Sequence, residues 1–300
     1  MTSYSLLILC LFLGIATARL IGKGPALATS LNWWVLNIAL PATVLHLTPT
    51  IRFSWDMWFL IASMWLVFAC AWALFAIVGA SRGWSRGRIG ALTLVCGLGN
   101  TSFIGYPMIE ALRGKDALAL AVVADQAGVF LMLAIGGALV TSIYASNRPQ
   151  LHALQVAKRV ASFPAFIALV IGLIVGASSA WPPFVDTVLQ RLGDTLVPLA
   201  LFSVGLQVRW ELQRAHLGAA AVALSYKLIL APLIVYGLGI AIGISGLSLI
   251  VAVLQSAMAP MISATILAEQ HDLEPRLANF ILTLGIVLSF VTVPIWNRWL

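Results

Sequence analysis

The chain has 300 residues, 61% of them hydrophobic and only 9% charged. A water-soluble domain carries about 25% charged residues, so the composition excludes a soluble globule and leaves an all-α polytopic membrane protein. The net charge of +7 does not point to nucleic acid, because Lys and Arg sit in short loops with no soluble domain to carry a basic face.

Apolar runs long enough to cross roughly 30 Å of hydrocarbon predict ten membrane helices. In chain order these are Tyr4–Ile21, Ala28–Leu47, Asp56–Gly79, Arg88–Leu112, Ala117–Tyr144, Phe163–Ala177, Thr187–Val208, Leu217–Ile242, Leu247–Ala268 and Leu277–Trp296. The first run ends in Ala16-Thr17-Ala18, a pattern like a signal-peptide cleavage site. No Lys or Arg precedes it and the run continues through Leu20-Ile21, so it reads as a membrane helix. Cys10, Cys70 and Cys96 fall within spans without metal-ligand spacing and read as reduced packing residues. Most Trp residues, Trp33, Trp34, Trp181 and Trp210 among them, fall near span ends, where an amphipathic ring suits the headgroup layer.

Loop charge orients the chain. One side collects eleven basic residues, including Lys23, Arg82, Arg86, Arg148, Lys158, Arg159, Arg209 and Arg214; the other collects five, Arg52, Arg113, Lys115, Arg191 and Arg298. The richer side should be cytoplasmic, which places both termini outside a cytoplasmic (inner) membrane. An even number of spans likewise requires both termini on one side.

The fourth run contains Cys96-Gly97-Leu98-Gly99-Asn100-Thr101-Ser102-Phe103-Ile104-Gly105-Tyr106-Pro107, a stretch built to stop being a helix. Three glycines weaken it, and Pro107 removes a donor and clashes with the preceding turn. In lipid such a break survives only against protein or a water-filled cavity. The ninth run carries Gln255-Ser256-Ala257-Met258-Ala259-Pro260. Pro41 and Pro198 lie 157 residues apart, Pro107 and Pro260 153. Five spans per half is odd, so the second copy enters from the opposite side: an inverted repeat, with 1–144 as the first half, 145–162 as a cytoplasmic linker and 163–300 as the second. Interrupted helices in matching positions of inverted halves point to a transporter's midplane site.

Asn100-Thr101-Ser102-Phe103-Ile104-Gly105-Tyr106-Pro107, with Gly114 after it and Asp125-Gln126 in the next span, resembles the auxin efflux carrier family of membrane transport proteins, whose bacterial members include malonate and other organic-acid permeases. The resemblance covers nearly the whole chain. It implies ten helices in two inverted halves, with spans four and nine crossing at Pro107 and Pro260. It also implies a scaffold of spans one, two, six and seven and a mobile domain of the other six. The long cytoplasmic loop of the plant carriers is absent.

From the residues themselves, half-helices beginning at Pro107 and at Pro260 would aim free N–H groups and positive dipole ends at an anion. Asn100 and Gln255 offer amide donors, and Asn100 is the residue expected to touch substrate. Thr101, Ser102 and Ser256 offer hydroxyls that either hold a ligand or patch the broken backbone. Gln126, beside Asp125, is a further candidate substrate contact. An Asp at mid-span must face protein or water, so Asp125 reads either as a carrier of H⁺ or Na⁺ or as a partner for Asn100 or Tyr106. Lys227 reads as a partner of Asp125 or of a substrate carboxylate, or as a side chain snorkelling to the cytoplasm. Asn37, four residues before Pro41, is placed to bond across the halves.

The expected function is secondary transport of a small organic anion by an elevator-like alternation. The rivals are a bile-acid-type sodium symporter, a channel of the same fold, and an intramembrane enzyme, for which no acid–base or nucleophile constellation is visible. No cofactor is expected. The expected partners are the anion, the bilayer and, as one option, a second copy of the chain in a homodimer.

Overall fold

An apolar segment in lipid has to satisfy its backbone within itself, and a helix does so. The computed structural model describes residues 2–22, 24–51, 54–146, 152–178, 180–208 and 216–300. Of the residues used above, Lys23, Arg52, Arg148, Arg209, Trp210 and Arg214 lie outside that set. Among the described residues the fold is all-helical. In order, α1 is Thr2–Ile21, and α2 (Gly24–Trp34) runs through a π turn, Val35–Ala39, into α3 (Leu40–Leu47). Next come α4 (Met57–Arg82), α5 (Arg86–Gly97) and α6 (Gly105–Arg113). α7 (Lys115–Val123) passes through a π turn, Ala124–Phe130, into α8 (Leu131–Tyr144). There follow α9 (Ala153–Ala161), α10 (Pro164–Ser178), α11 (Pro183–Gly193) and α12 (Leu196–Gln207). α13 (Leu217–Ser225) joins α14 (Ala231–Ala241) through a third π turn, Tyr226–Leu230; α15 (Gly246–Ser256), α16 (Ile262–Gln270) and α17 (Pro275–Trp299) complete the chain.

Among the described residues five stretches are long and apolar enough to cross a membrane: Tyr4–Ile21, Met57–Arg82, Lys115–Tyr144, Leu217–Ala241 and Pro275–Trp299. The bent pair α9 and α10 makes a sixth if taken as one span. The predicted fourth, seventh and ninth spans are each divided between two helices, and the linker predicted at 145–162 carries α9.

By its contacts the chain divides into two compact units. The first comprises Met1–Ser54, Ser102–Val122 and Lys158–Val208. Its core is α1 laid backbone to backbone on α12. A Cβ added at Gly14 would lie 2.2 Å from the Phe202 carbonyl oxygen, and one at Gly205 would lie 2.3 Å from that of Leu11. Small residues allow this approach, which membrane helices exploit for packing because the hydrophobic effect does not drive them together. Polar bonds fix the rest of the unit. The Ser203 hydroxyl donates to Asn32 Oδ1 at 2.6 Å, Trp34 Nε1 to Thr195 Oγ1 at 3.1 Å, and Trp181 Nε1 to the Leu45 carbonyl at 2.8 Å. Among the described residues Asn37 bonds within its own helix, not across the halves. It lies in a π turn, and its Nδ2 donates to the Trp33 carbonyl of its own helix at 2.8 Å. Asn32 makes the cross-helix bond instead.

The second unit comprises Trp55–Thr101, Val123–Ala157 and Arg209–Leu300. α4 runs along α5 and α15, and Phe68 fills the space opened by two glycines: a Cβ at Gly97 or Gly136 would lie 2.8 or 2.7 Å from its ring. Ser85 caps α5 by accepting from Arg88 N at 3.1 Å and donates to Glu274 Oε1 at 2.7 Å. Arg88 Nε donates to Glu274 Oε2 at 2.9 Å, which ties the start of α5 to the start of α17.

The Gly14 and Gly205 contacts make a testable demand on the first unit. Gly14→Ala or Gly205→Ala forces a methyl into a carbonyl and should destabilise by about 1–3 kcal/mol, read as a lower Tm in detergent. Gly218→Ala, at a helical position with nothing within 4 Å among the described residues, is the control and should leave Tm unchanged or slightly raised. Equal Tm values for all three variants would show that the α1–α12 contact is not as close as described.

Candidate functional site

α5 ends because Gly97 and Gly99 offer little to a helix and Leu98 turns extended, at φ −111° and ψ 122°. In the second unit, α15 ends at Ser256, and Ala257 to Met261 cross to the start of α16. These two breaks satisfy each other. Asn100 N donates to the Ala259 carbonyl at 2.8 Å and Met261 N to the Leu98 carbonyl at 3.1 Å, with Gly99 and Pro260 opposite each other as an isolated antiparallel bridge. In such a pair the bonds run through the flanking residues, and the two residues between them approach closely. The donor that proline lacks is therefore not needed at 260. The residue facing it is a glycine, whose added Cβ would lie 3.0 Å from Lys227 Nζ and 3.4 Å from the Gln255 carbonyl oxygen.

The helix starts differ from those predicted. α6 begins at Gly105, with Pro107 its third residue, and α16 begins at Ile262, two residues past Pro260. Proline is tolerated anywhere in a first turn, because those N–H groups have no intrahelical partner. Pro260 also packs its ring into the space left by Gly285, where a Cβ would lie 2.4 Å from the proline Cδ. The break's backbone donors at Asn100 and Met261 are used in the crossing itself, while the first turn of α16 keeps N–H groups without an intrahelical partner.

Around the bridge the second unit gathers the polar residues singled out from the sequence. Asn100, Thr101, Asp125, Gln126, Lys227, Gln255 and Ser256 are each 2% exposed or less. The Thr101 hydroxyl donates to Asp125 Oδ1, and Gln126 Nε2 donates to Asp125 Oδ2 at 2.8 Å. Gln255 Nε2 donates to the Thr101 carbonyl at 3.3 Å. Ser256 donates to the Val253 carbonyl of its own helix at 2.7 Å. Lys227 does not snorkel. It is 1% exposed, and Nζ donates to the Ser256 carbonyl at 3.1 Å, one of the acceptors that the end of α15 leaves without a helical partner.

Asp125 and Gln126 lie in the π turn between α7 and α8, and Lys227 in the π turn between α13 and α14. A π turn inserts a residue and re-aims the side chains beside it, and such turns recur at functional sites. Hydrophobic periodicity gives no sign of them, so the sequence showed the residues without their aim.

Ser102, Gly105 and Pro107 fall in the first unit. Pro107 lines a cavity of about 330 Å³ there, together with His46, Glu110, Lys115, Asp194 and Pro198. His46 Nδ1 lies 2.7 Å from Asp186 Oδ1, a pairing of α3 with α11 that the sequence, read by spacing alone, did not suggest. Glu110 and Lys115 were also missed. They flank Gly114, and a pair of opposite charges near a predicted span end reads as loop.

Residues 23–297 match the family described as membrane transport protein. An uncharacterized transporter of Methanothermobacter thermautotrophicus is 26% identical over 273 residues, covering 90% of this chain and 88% of that protein. A second uncharacterized transporter, from Methanocaldococcus jannaschii, is 26% identical over 214 residues, 70% of this chain and 68% of its own length. With nearly its whole length matched, the chain belongs to the membrane transport protein family, the family of the auxin efflux carriers.

Proposed function

We propose that this transporter is a secondary carrier that moves a small organic anion, a malonate-like or auxin-like carboxylate, across the cytoplasmic membrane by alternating access. The observation that supports the reading best is the crossing of two broken segments with a buried carboxylate, a buried ammonium and several amides around it. Burying such groups is costly unless they are used.

Each group has a role in this reading. The amides of Asn100 and Gln255 donate to the substrate carboxylate. Lys227 supplies the positive charge that offsets the anion's desolvation. Asp125, held by Thr101 and Gln126, carries the coupling cation. Ten spans in two inverted halves, both termini outside, would place the crossing near the midplane. Spans three to five and eight to ten would move against spans one, two, six and seven.

One detail favours Na⁺ as the coupling ion over H⁺. Gln126 Oε1 is buried with no donor among the described residues, next to Asp125 and Thr101, so its oxygen is available to a cation. Three oxygens from Thr101, Asp125 and Gln126 would begin such a site, as in a bile-acid-type sodium symporter.

Proteoliposomes holding the purified protein should take up radiolabelled malonate or a related carboxylate with saturation and counterflow. Unitary currents would indicate a channel instead, and the absence of saturable flux for any carboxylate would overturn the assignment. Asn100→Ala should cut uptake about tenfold or more, the cost of one lost buried hydrogen bond to a charged group, while the protein stays monodisperse. Asp125→Asn should abolish the response of uptake to imposed Na⁺ and pH gradients. If it transports like the wild type at every pH and Na⁺ concentration, Asp125 is not the coupling residue.

A further inference from the structure

A nine-residue helix stands where the sequence predicts only a linker. α9 is bent 64° from α10. Pro164 enforces the bend: it has no N–H, and its ring excludes the carbonyl four residues back. The chain turns at Ser162 and Phe163, whose N–H groups donate to the Lys158 carbonyl at 2.9 Å and the Val160 carbonyl at 3.1 Å.

The composition of α9 is sorted by angle. At about 100° per residue, Ala153, Leu154, Val156, Ala157, Val160 and Ala161 fall within an arc of about 160°, and Gln155, Lys158 and Arg159 fill the remainder. No residue of α9 is buried, and Leu154 is 82% exposed. The helix thus has an apolar face that the described residues leave uncovered. Charge is one-sided as well, since between Asp125 and Asp186 the sequence contains no carboxylate side chain. Where α10 runs across the membrane, the bend lays α9 closer to the membrane plane than to its normal.

We propose that α9 is an interfacial anchor, its apolar arc seated at the acyl boundary and Lys158 and Arg159 bound to the phosphates of anionic phospholipid headgroups. A basic amphipathic helix lying in the interface has this design. Nine residues would hold a bilayer weakly as a free peptide, but α10 keeps them at its surface, so little association entropy is lost on docking. With the orientation proposed above, the leaflet is the cytoplasmic one, which carries the anionic lipid. The anchor pins the connection between the two halves to the membrane surface.

The test uses the full chain in nanodiscs of phosphatidylcholine, with or without phosphatidylglycerol. Spin labels go on Ala157→Cys, at the centre of the apolar arc, and on Gln155→Cys, at the centre of the polar one, after Cys10, Cys70 and Cys96 are replaced. With phosphatidylglycerol, the label at 157 should be open to oxygen and shielded from a water-soluble nickel chelate, and the label at 155 should show the reverse. Lys158→Gln with Arg159→Gln should shift the docked-to-undocked ratio toward water by about 30-fold, from two surface charges removed. Lys158→Arg with Arg159→Lys should leave it in place. Wild-type protein provides a check free of substitutions: amide hydrogen exchange over 153–161 should slow when phosphatidylglycerol is added. Equal water access at both labels, shielding of 157 from both reagents as under a protein cover, or indifference to the glutamine pair or to phosphatidylglycerol would each overturn the proposal.

Discussion

A backbone group left unpaired in hydrocarbon costs several kcal/mol, and this chain interrupts several of its apolar segments, two of them facing each other. The interruption at Gly97–Gly105 and that at Ser256–Ile262 are stable because each supplies what the other lacks: two N–H groups and two carbonyls exchanged across Gly99 and Pro260. Much of the neighbouring polar chemistry follows from that requirement. The end of α15 leaves the Ser256 carbonyl open, and Lys227 takes it. The Thr101 carbonyl, past the end of α5, accepts from Gln255. Each net hydrogen bond contributes only about 0.5–1.5 kcal/mol, but leaving either carbonyl bare at this depth would cost more than the bond gains.

How legible this was varied with the physics involved. Glycines and prolines break helices for local steric reasons, so the interruption around Asn100 could be read directly. Where the new helices begin could not, because a first turn tolerates proline at several positions; Gly105 and Ile262, not Pro107 and Pro260, open α6 and α16. Pro260 was expected to start a helix and instead occupies the one place in an antiparallel pair where its missing donor does no harm. For Lys227 the sequence left open a charged partner or a reach for water along its long stem. The carbonyl it binds belongs to another segment 29 residues away and exists as an acceptor only because α15 stops. Contacts of that kind are set by tertiary structure, as are the π turns that aim Asp125, Gln126 and Lys227. Asn37 shows the converse: a polar residue placed by sequence to bond between helices serves its own widened turn.

Both buried ionisable side chains have dipolar partners. Lys227 rests on a carbonyl, and Asp125 on a hydroxyl and an amide. Dipolar partners can rotate or yield as a ligand arrives, which is in keeping with the substrate and coupling-ion roles proposed above.

The same bonds bear on how such a site would change its exposure. Within the second unit, α5, α15 and the π turns bearing Asp125 and Lys227 are joined by the bridge, by Lys227 on Ser256, by Gln255 on Thr101 and by Thr101 on Asp125. Moving any one of these segments alone would strand several polar groups in an apolar medium, at several kcal/mol for each. Displacing the cluster as one body breaks none of them. Gating by local rearrangement at the crossing is thus the expensive route. Rigid-body displacement keeps every internal bond intact, and that difference in cost supports a carrier that moves its site over a channel that opens around it.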